Sequence, residues 1–165
     1  MQGAVGDKEM KRNLLLVLAG LLALAGPAGA VTATNTFSVS ITLNSACQVV
    51  TVPVIAFSYT SFQVPAATSN STFNVQCTNT KSITSILLDN GAGGLAGGLS
   101  QSYTDNATGL TYSLTLSGIP AAGSGAAQTV SIAGSMAGGQ SGSCNAATCT
   151  NAASTNATRT ITITY

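Results

Sequence analysis

Histidine and tryptophan are absent from the 165 residues, and charge is scarce, with five Lys or Arg and four Asp or Glu. The shortage is sharper than the totals suggest. Asp7, Lys8, Glu9, Lys11 and Arg12 crowd the first dozen positions, so from residue 31 onward the charged residues are Lys81, Asp89, Asp105 and Arg159. Such a stretch has no basic patch to neutralise phosphates, which leaves nucleic-acid binding without electrostatic support. It also lacks the self-repulsion that keeps proteins apart, and so suits a polymer or a carrier-bound subunit better than a free monomer. Without an imidazole, without Glu beyond residue 9, and with Asp89 and Asp105 expected as solvated turn residues, no general base is at hand. A Ser or Thr lacking an activating partner is only a hydroxyl. No enzyme and no cofactor is expected. Nor is a metal site, since four cysteines without histidine and without a C-x-x-C pair make a weak zinc set. The glycine-rich stretch 91–98 lacks G-x-x-x-x-G-K-[ST] and no helix follows it, so its glycines are turn formers rather than a phosphate cradle.

What is present begins with a targeting segment. Lys8, Lys11 and Arg12 precede an apolar run over 14–25, and Pro27 leads into Ala28-Gly29-Ala30. This is the pattern of a secretory signal peptide, residues 1–30, cleaved after Ala30. Its apolar run is too short for a membrane span, which needs roughly 20 residues. Met10 is a candidate alternative start. Residues 31–165 then make one domain by length. Export implies an oxidising compartment and two disulfides. Three pairings are possible, of which Cys47 with Cys77 and Cys144 with Cys149 is favoured: the first pair lies in two strand-like segments, the second in one short polar loop. Closing a loop of some 30 residues stabilises a fold by about 3 to 4 kcal/mol through chain entropy.

Period-two alternation dominates and sustained helical periodicity is missing, so the chain is all-β. Phe73, Val75 and Cys77 alternate with polar neighbours, as do Leu110, Tyr112, Leu114 and Leu116, the shorter pair Val130 and Ile132, and the terminal Ile161, Ile163 and Tyr165. Residues 83–88 are more continuously apolar, as in a strand covered on both faces. Turn-forming runs fall at 90–98, 117–125 and 134–156. About six strands are expected, at 46–56, 70–78, 82–89, 109–117, 128–133 and 158–165, arranged as a sandwich.

One pattern does not fit a closed sandwich. Val31, Ala33, Phe37, Val39, Ile41, Leu43, Cys47 and Val49 share one alternating register over about twenty residues. At 3.3 Å per residue that is roughly 65 Å, against a radius of gyration near 14 Å for a domain of this length. Either the chain folds back near Asn44-Ser45 or the piece before it leaves the domain. Six strands are one short of the seven of an immunoglobulin-type sandwich, which would expose a groove and an unpaired edge. Residues 31–43 have the shape to fill such a groove in a neighbour by donor-strand complementation. An ordinary first strand completing its own sandwich fits the alternation equally well.

Ser45-Ala46-Cys47, Phe57-Ser58-Tyr59, Val75-Gln76-Cys77-Thr78, Leu110-Thr111-Tyr112, the G-x-[hydrophobic]-x-x-G-Q run from Gly134 to Gln140, and the closing alternation from Thr160 to Tyr165 together resemble the spore coat protein U domain, a family that includes subunits of archaic chaperone-usher pili. The resemblance implies an incomplete immunoglobulin-like sandwich, carried by a periplasmic chaperone and polymerised with identical or related subunits at an outer-membrane usher. It implies export through the periplasm to a surface fibre that supports adhesion or biofilm formation. By position, Val31, Ala33, Phe37, Val39, Ile41 and Leu43 would form the donor strand, residues 44–165 the pilin domain, and Cys47 with Cys77 the family disulfide. Thr160, Ile161, Ile163 and Tyr165 would be the edge first held by the chaperone. Ser58 stands where the family often has Gly, Arg159 where an acidic residue is common, and Cys144 with Cys149 is an additional bridge. Two other readings remain: a tip adhesin or carbohydrate-binding module using long loops at 91–108 and 134–156, and a self-complemented spore or cell coat protein. Asn70, Asn106 and Asn156 begin N-x-[ST] sequons, which matter only where asparagine is glycosylated.

Overall fold

The alternating segments become eight antiparallel strands in the computed structural model, which describes residues 32–165 apart from 92–95 and 155–156. The expected signal peptide and Val31 lie outside the described residues. The chain divides into two units, Met1–Thr42 and Leu43–Tyr165. In the first, residues 32–42 form no regular element and are exposed. The second holds every strand: β1 (Cys47–Val49), β2 (Ala67–Cys77), β3 (Ser85–Asp89), β4 (Ala96–Gly98), β5 (Ser100–Thr104), β6 (Thr111–Ser117), β7 (Ala127–Met136) and β8 (Ile161–Thr164).

Five of them make one sheet in the order β1-β2-β7-β6-β5, and three make another, β4-β3-β8. Because side chains alternate across a strand, β2 turns Phe73, Val75 and Cys77 inward, β6 turns Leu114 and Leu116, and β7 turns Val130, Ile132 and Met136. From the smaller sheet Ile86 and Leu88 meet them, and both are 0 % exposed. The two sheets thus share one core, as an incomplete immunoglobulin-like sandwich. Phe73 lies opposite Val130 in the β2–β7 ladder, a large buried pair near its centre. Cys47 and Cys77 are direct cross-strand partners in β1 and β2 and are joined by a disulfide; Cys144 and Cys149 form the second.

All six expected strands are present, with shifted ends, and two more, β4 and β5, occupy the stretch expected as a long loop at 91–108. Those strands carry one large apolar residue, Tyr103, among Ala, Gly, Ser, Gln and Thr, so their alternation is faint; Tyr103 is nonetheless buried against the core. At the other extreme, the expected strand 46–56 ladders only as far as Val49. Beyond it Val50 N–H still reaches the Asn74 carbonyl, but Val54 N–H donates to the Ser71 hydroxyl and Ala56 N–H to that of Ser69. Serine side chains of β2 stand in for main-chain acceptors, and the segment stays extended without joining the sheet. The expected turn run at 134–156 begins later, since β7 continues to Met136. Asp89 and Asp105 are not solvated turn residues: they are 3 % and 5 % exposed, each buried within hydrogen bonds described below.

The Phe73→Ala substitution is expected to destabilise the domain by about 3 to 5 kcal/mol through a cavity at the centre of the core. Thr72→Ala, on the exposed face of the same strand, should stay within about 0.5 kcal/mol. Urea unfolding of both variants measures the contrast.

Candidate functional site

The strand β8 sits at an edge, paired among the described residues with β3 alone. Its inward residues Ile161 and Ile163 lie opposite Leu88 and Ile86. Those partners are fully buried, whereas Ile161 and Ile163 are only half-buried, so the core is closed over β3 and open over β8. The opening is a groove of about 880 Å³ in the second unit. Leu114, Ile132 and Met136 form its floor, Ile55 and Phe57 one wall, and Ile161 the other. Toward the start of β6 it turns polar, with Asp105, Thr108, Thr150, Asn151 and Arg159 around it.

The wall formed by residues 52–59 is placed by the sequence motifs. Pro53, Ile55, Phe57 and Tyr59 alternate inward, and the intervening Val52 and Val54 are exposed at the rim. Phe57 packs 5.8 Å from the Tyr112 ring and directly over Gly134; a Cβ there would lie 2.6 Å from the Phe57 ring and 3.2 Å from Ile55, so only glycine admits this crossing. At Gly138 a Cβ would fall 2.0 Å from the Val64 carbonyl oxygen. Gln140 completes the motif: its side-chain amide donates to the Thr111 and Ala137 carbonyls, its oxygen accepts from Thr111 N–H, and its own N–H donates to the Tyr59 hydroxyl. The G-x-[hydrophobic]-x-x-G-Q run is therefore a clamp that fastens the 52–59 wall and the end of β7 to β6.

The polar end is organised by two buried carboxylates. Asp89 accepts from Gly91 N–H (2.8 Å) and from Thr160 N–H (2.7 Å), and lies 3.6 Å from an Arg159 guanidinium nitrogen. Arg159 stacks 4.1 Å from the Tyr103 ring and donates to the Tyr112 hydroxyl at 2.9 Å. The Tyr103 hydroxyl donates to the Asp89 carbonyl at 2.7 Å. Its pKa is pushed up to about 12, first by burial and then by the Asp89 charge, against the opposing pull of Arg159, so it remains a donor. These contacts tie the start of β8 to β3, β5 and β6. Asp105 gathers the next turn, accepting from the N–H groups of Ala107 and Thr108 and from the Thr108 hydroxyl. Burial raises the Asp105 pKa, but the hydrogen bonds from Thr108, Ser154 and Ala107 outweigh it and hold the carboxyl below its usual 3.8.

The carboxylates are saturated by structural donors, and among the described residues no group of three or more His, Cys, Asp or Glu is placed to hold a metal. No helix among them is long and apolar enough to cross a membrane.

A family model, the Spore Coat Protein U domain, matches residues 33–164. The chain belongs to the Spore Coat Protein U domain family. Members of that family are structural subunits of pili and coats. No curated protein and no solved structure gives a match. In this Spore Coat Protein U domain Thr160, Ile161, Ile163 and Tyr165 lie together on or beside the edge strand, and Ile161 faces the groove. In the N-terminal segment Phe37, Val39, Ile41 and Leu43 are 87, 70, 86 and 77 % exposed, and Ala33 is exposed too. The four cysteines divide between the sheet edge at β1–β2 and the loop after β7. Sequence reasoning missed Tyr103 and the role of Arg159. A lone arginine beside Thr-rich alternation carries no local sign of a buried partner; the only clue was that a chain so poor in charge retains it at all.

Removing one partner of the buried pair, as in Asp89→Ala, is expected to destabilise by about 3 to 5 kcal/mol, because Arg159 is left uncompensated. For Asp105 the folded pKa lies below the unfolded one, so its contribution is present above the usual carboxylate range and is lost as pH falls through the folded value. Urea midpoints measured from about pH 6 down to about pH 2 should fall more steeply for the native sequence than for Asp105→Asn.

Proposed function

We propose that this chain is a non-catalytic structural subunit of a chaperone-usher type surface fibre. It polymerises when residues 31–43 of one subunit enter the groove beside β8 of the next. The supporting observation is the mismatch across one strand pair, with Ile86 and Leu88 fully covered and Ile161 and Ile163 left half-open at an edge unpaired among the described residues. An added strand hydrogen-bonds along β8 and lowers alternate side chains onto the floor. Val31, Ala33, Phe37, Val39, Ile41 and Leu43 are the alternate side chains, and each large one buried contributes roughly 1.5 to 3 kcal/mol. The joint is accordingly long-lived. Before assembly the same apolar edge needs a cover, the role given to a periplasmic chaperone holding Thr160, Ile161, Ile163 and Tyr165 until an outer-membrane usher exchanges it for the neighbour's segment. The signal-like residues 1–30 and the two disulfides fit passage through an oxidising periplasm to the cell exterior, where the fibre supports adhesion or biofilm formation.

The lack of charge supports the same reading. Both carboxylates are buried, Arg159 is mostly covered, and Lys81 lies over the Tyr165 ring at 5.6 Å, so the subunit meets its neighbours through apolar and neutral polar groups. The adhesin or carbohydrate-binding alternative loses part of its motive, because most of 91–108 is strand and tight turn rather than free loop.

Deleting residues 31–43 should leave a soluble chaperone complex and no fibres by electron microscopy; intact fibres from that chain would overturn the proposal. Fibre dissociation rates should change by less than about twofold between roughly 0.05 and 0.5 M sodium chloride, since among the described residues no exposed ion pair is available for salt to screen.

A further inference from the structure

Alternation alone does not seat a strand in one place. A slip of one residue turns every apolar side chain outward, but a slip of two preserves the face. Phe37, Val39, Ile41 and Leu43 follow one another at that spacing, so an apolar groove open at both ends admits several registers. This groove is not open at both ends. Along the larger sheet its floor runs from the β1 end, at Val49, past Ile132 and Leu114 to Met136 and then Leu110, the residue before β6. At that last position Cys149, Thr150 and Asn151 line it together with Asp105 and Thr108.

We propose that the disulfide-closed turn from Cys144 to Cys149, with Thr150 and Asn151 beyond it, is an end stop. It determines the register at which residues 33–43 of a second copy of this chain seat in the groove. The inference rests on the strand-exchange reading above and adds to it the element that selects among equivalent alignments.

Three features make this loop a wall rather than a passing connection. It is anchored to the floor: Ser143 N–H donates to the Thr108 carbonyl at 2.6 Å, and Gly142 lies so close to Leu110 that an added Cβ would come within 3.0 Å of it. It is stiffened, by the Cys144–Cys149 bond on one side and, on the other, by the one-turn helix Asn151–Ala153 that Thr150 caps. The Ser154 hydroxyl bonds the Asn106 side chain and so returns the loop to the same β5–β6 turn. It is also polar where the rest of the groove is apolar: Thr150 and Asn151 stand exposed beside half-buried Thr108 and buried Asp105, and an aliphatic side chain pushed against them displaces their solvation without replacing it. The occupant follows from charge and shape. Residues 32–43 hold no charged side chain, so they can lie beside Arg159 and Asp89 without disturbing that pair, and they present exposed apolar side chains at the spacing the floor requires.

The test uses assemblies of the full chain carrying Phe37→benzoylphenylalanine, irradiated and mapped by mass spectrometry for adducts between subunits. In the otherwise native chain the adducts should fall at one position in the groove. With Cys144→Ser and Cys149→Ser together they should split between that position and one displaced by two residues. Asn151→Trp, which keeps the disulfide and thickens the wall, should move the single adduct two residues away from Leu110, and it decides the matter if the double variant does not fold. An unchanged single position in Asn151→Trp overturns the end stop and leaves strand exchange standing. No groove adduct in the otherwise native chain overturns strand exchange and the end stop with it.

Discussion

A buried apolar face needs something on top of it, and the side chains of β8 are where this structure leaves that requirement unmet. Across the β3–β8 pair the same kind of residue faces the same core, yet one strand is covered and the other is half-open. The cover for β3 comes from the core it shares with the opposite sheet; the cover for β8 would have to come from a strand between it and the wall at 52–59. That wall is tied to β2, through Val54 N–H on Ser71 and Ala56 N–H on Ser69, and among the described residues no ladder joins it to β8. The groove is thus built into the sandwich rather than left by a missing loop.

Charge scarcity and the groove belong to one design. Under the proposed strand exchange, a subunit joined to its copies through an apolar cleft would gain nothing from surface ion pairs, which contribute little in water and weaken with salt. The few charges retained are used internally. Asp89 and Arg159 tie the start of the edge strand to both sheets, and Asp105 gathers the turn at the groove's polar end. Holding β8 rigid at that end matters for an edge proposed to pair with an added strand, since a strand that frays offers no template.

The motifs that mark the family do mechanical work at the same place. Gly134 lets Phe57 cross β7, Gly138 lets the Val64 carbonyl approach, and Gln140 links the end of β7 to Thr111 through its side chain and to Tyr59 through its main-chain N–H. Each is a consequence of close backbone approach, and together they set the width of the groove on the side opposite β8.

Legibility followed the strength of the local signal. Strands with strong alternation, such as those around Phe73, Leu114 and Ile161, were visible in the residues, because period two reports directly on a half-buried pleat. β4 and β5 were not, since Gly, Ser and Gln carry no such report and their pairing is dictated by neighbours far along the chain. The sequence by itself determined the all-β class, the one long alternating segment at 31–49, and the lack of histidine and scarcity of charge; composition and periodicity are properties of the chain alone. Only the tertiary structure decided that the strand wall at 52–59 stops short of the sheet, that both aspartates are buried, and that the groove is walled at one end. Those outcomes depend on which distant groups compete for the same hydrogen bonds and the same space, and no local pattern encodes the result of that competition.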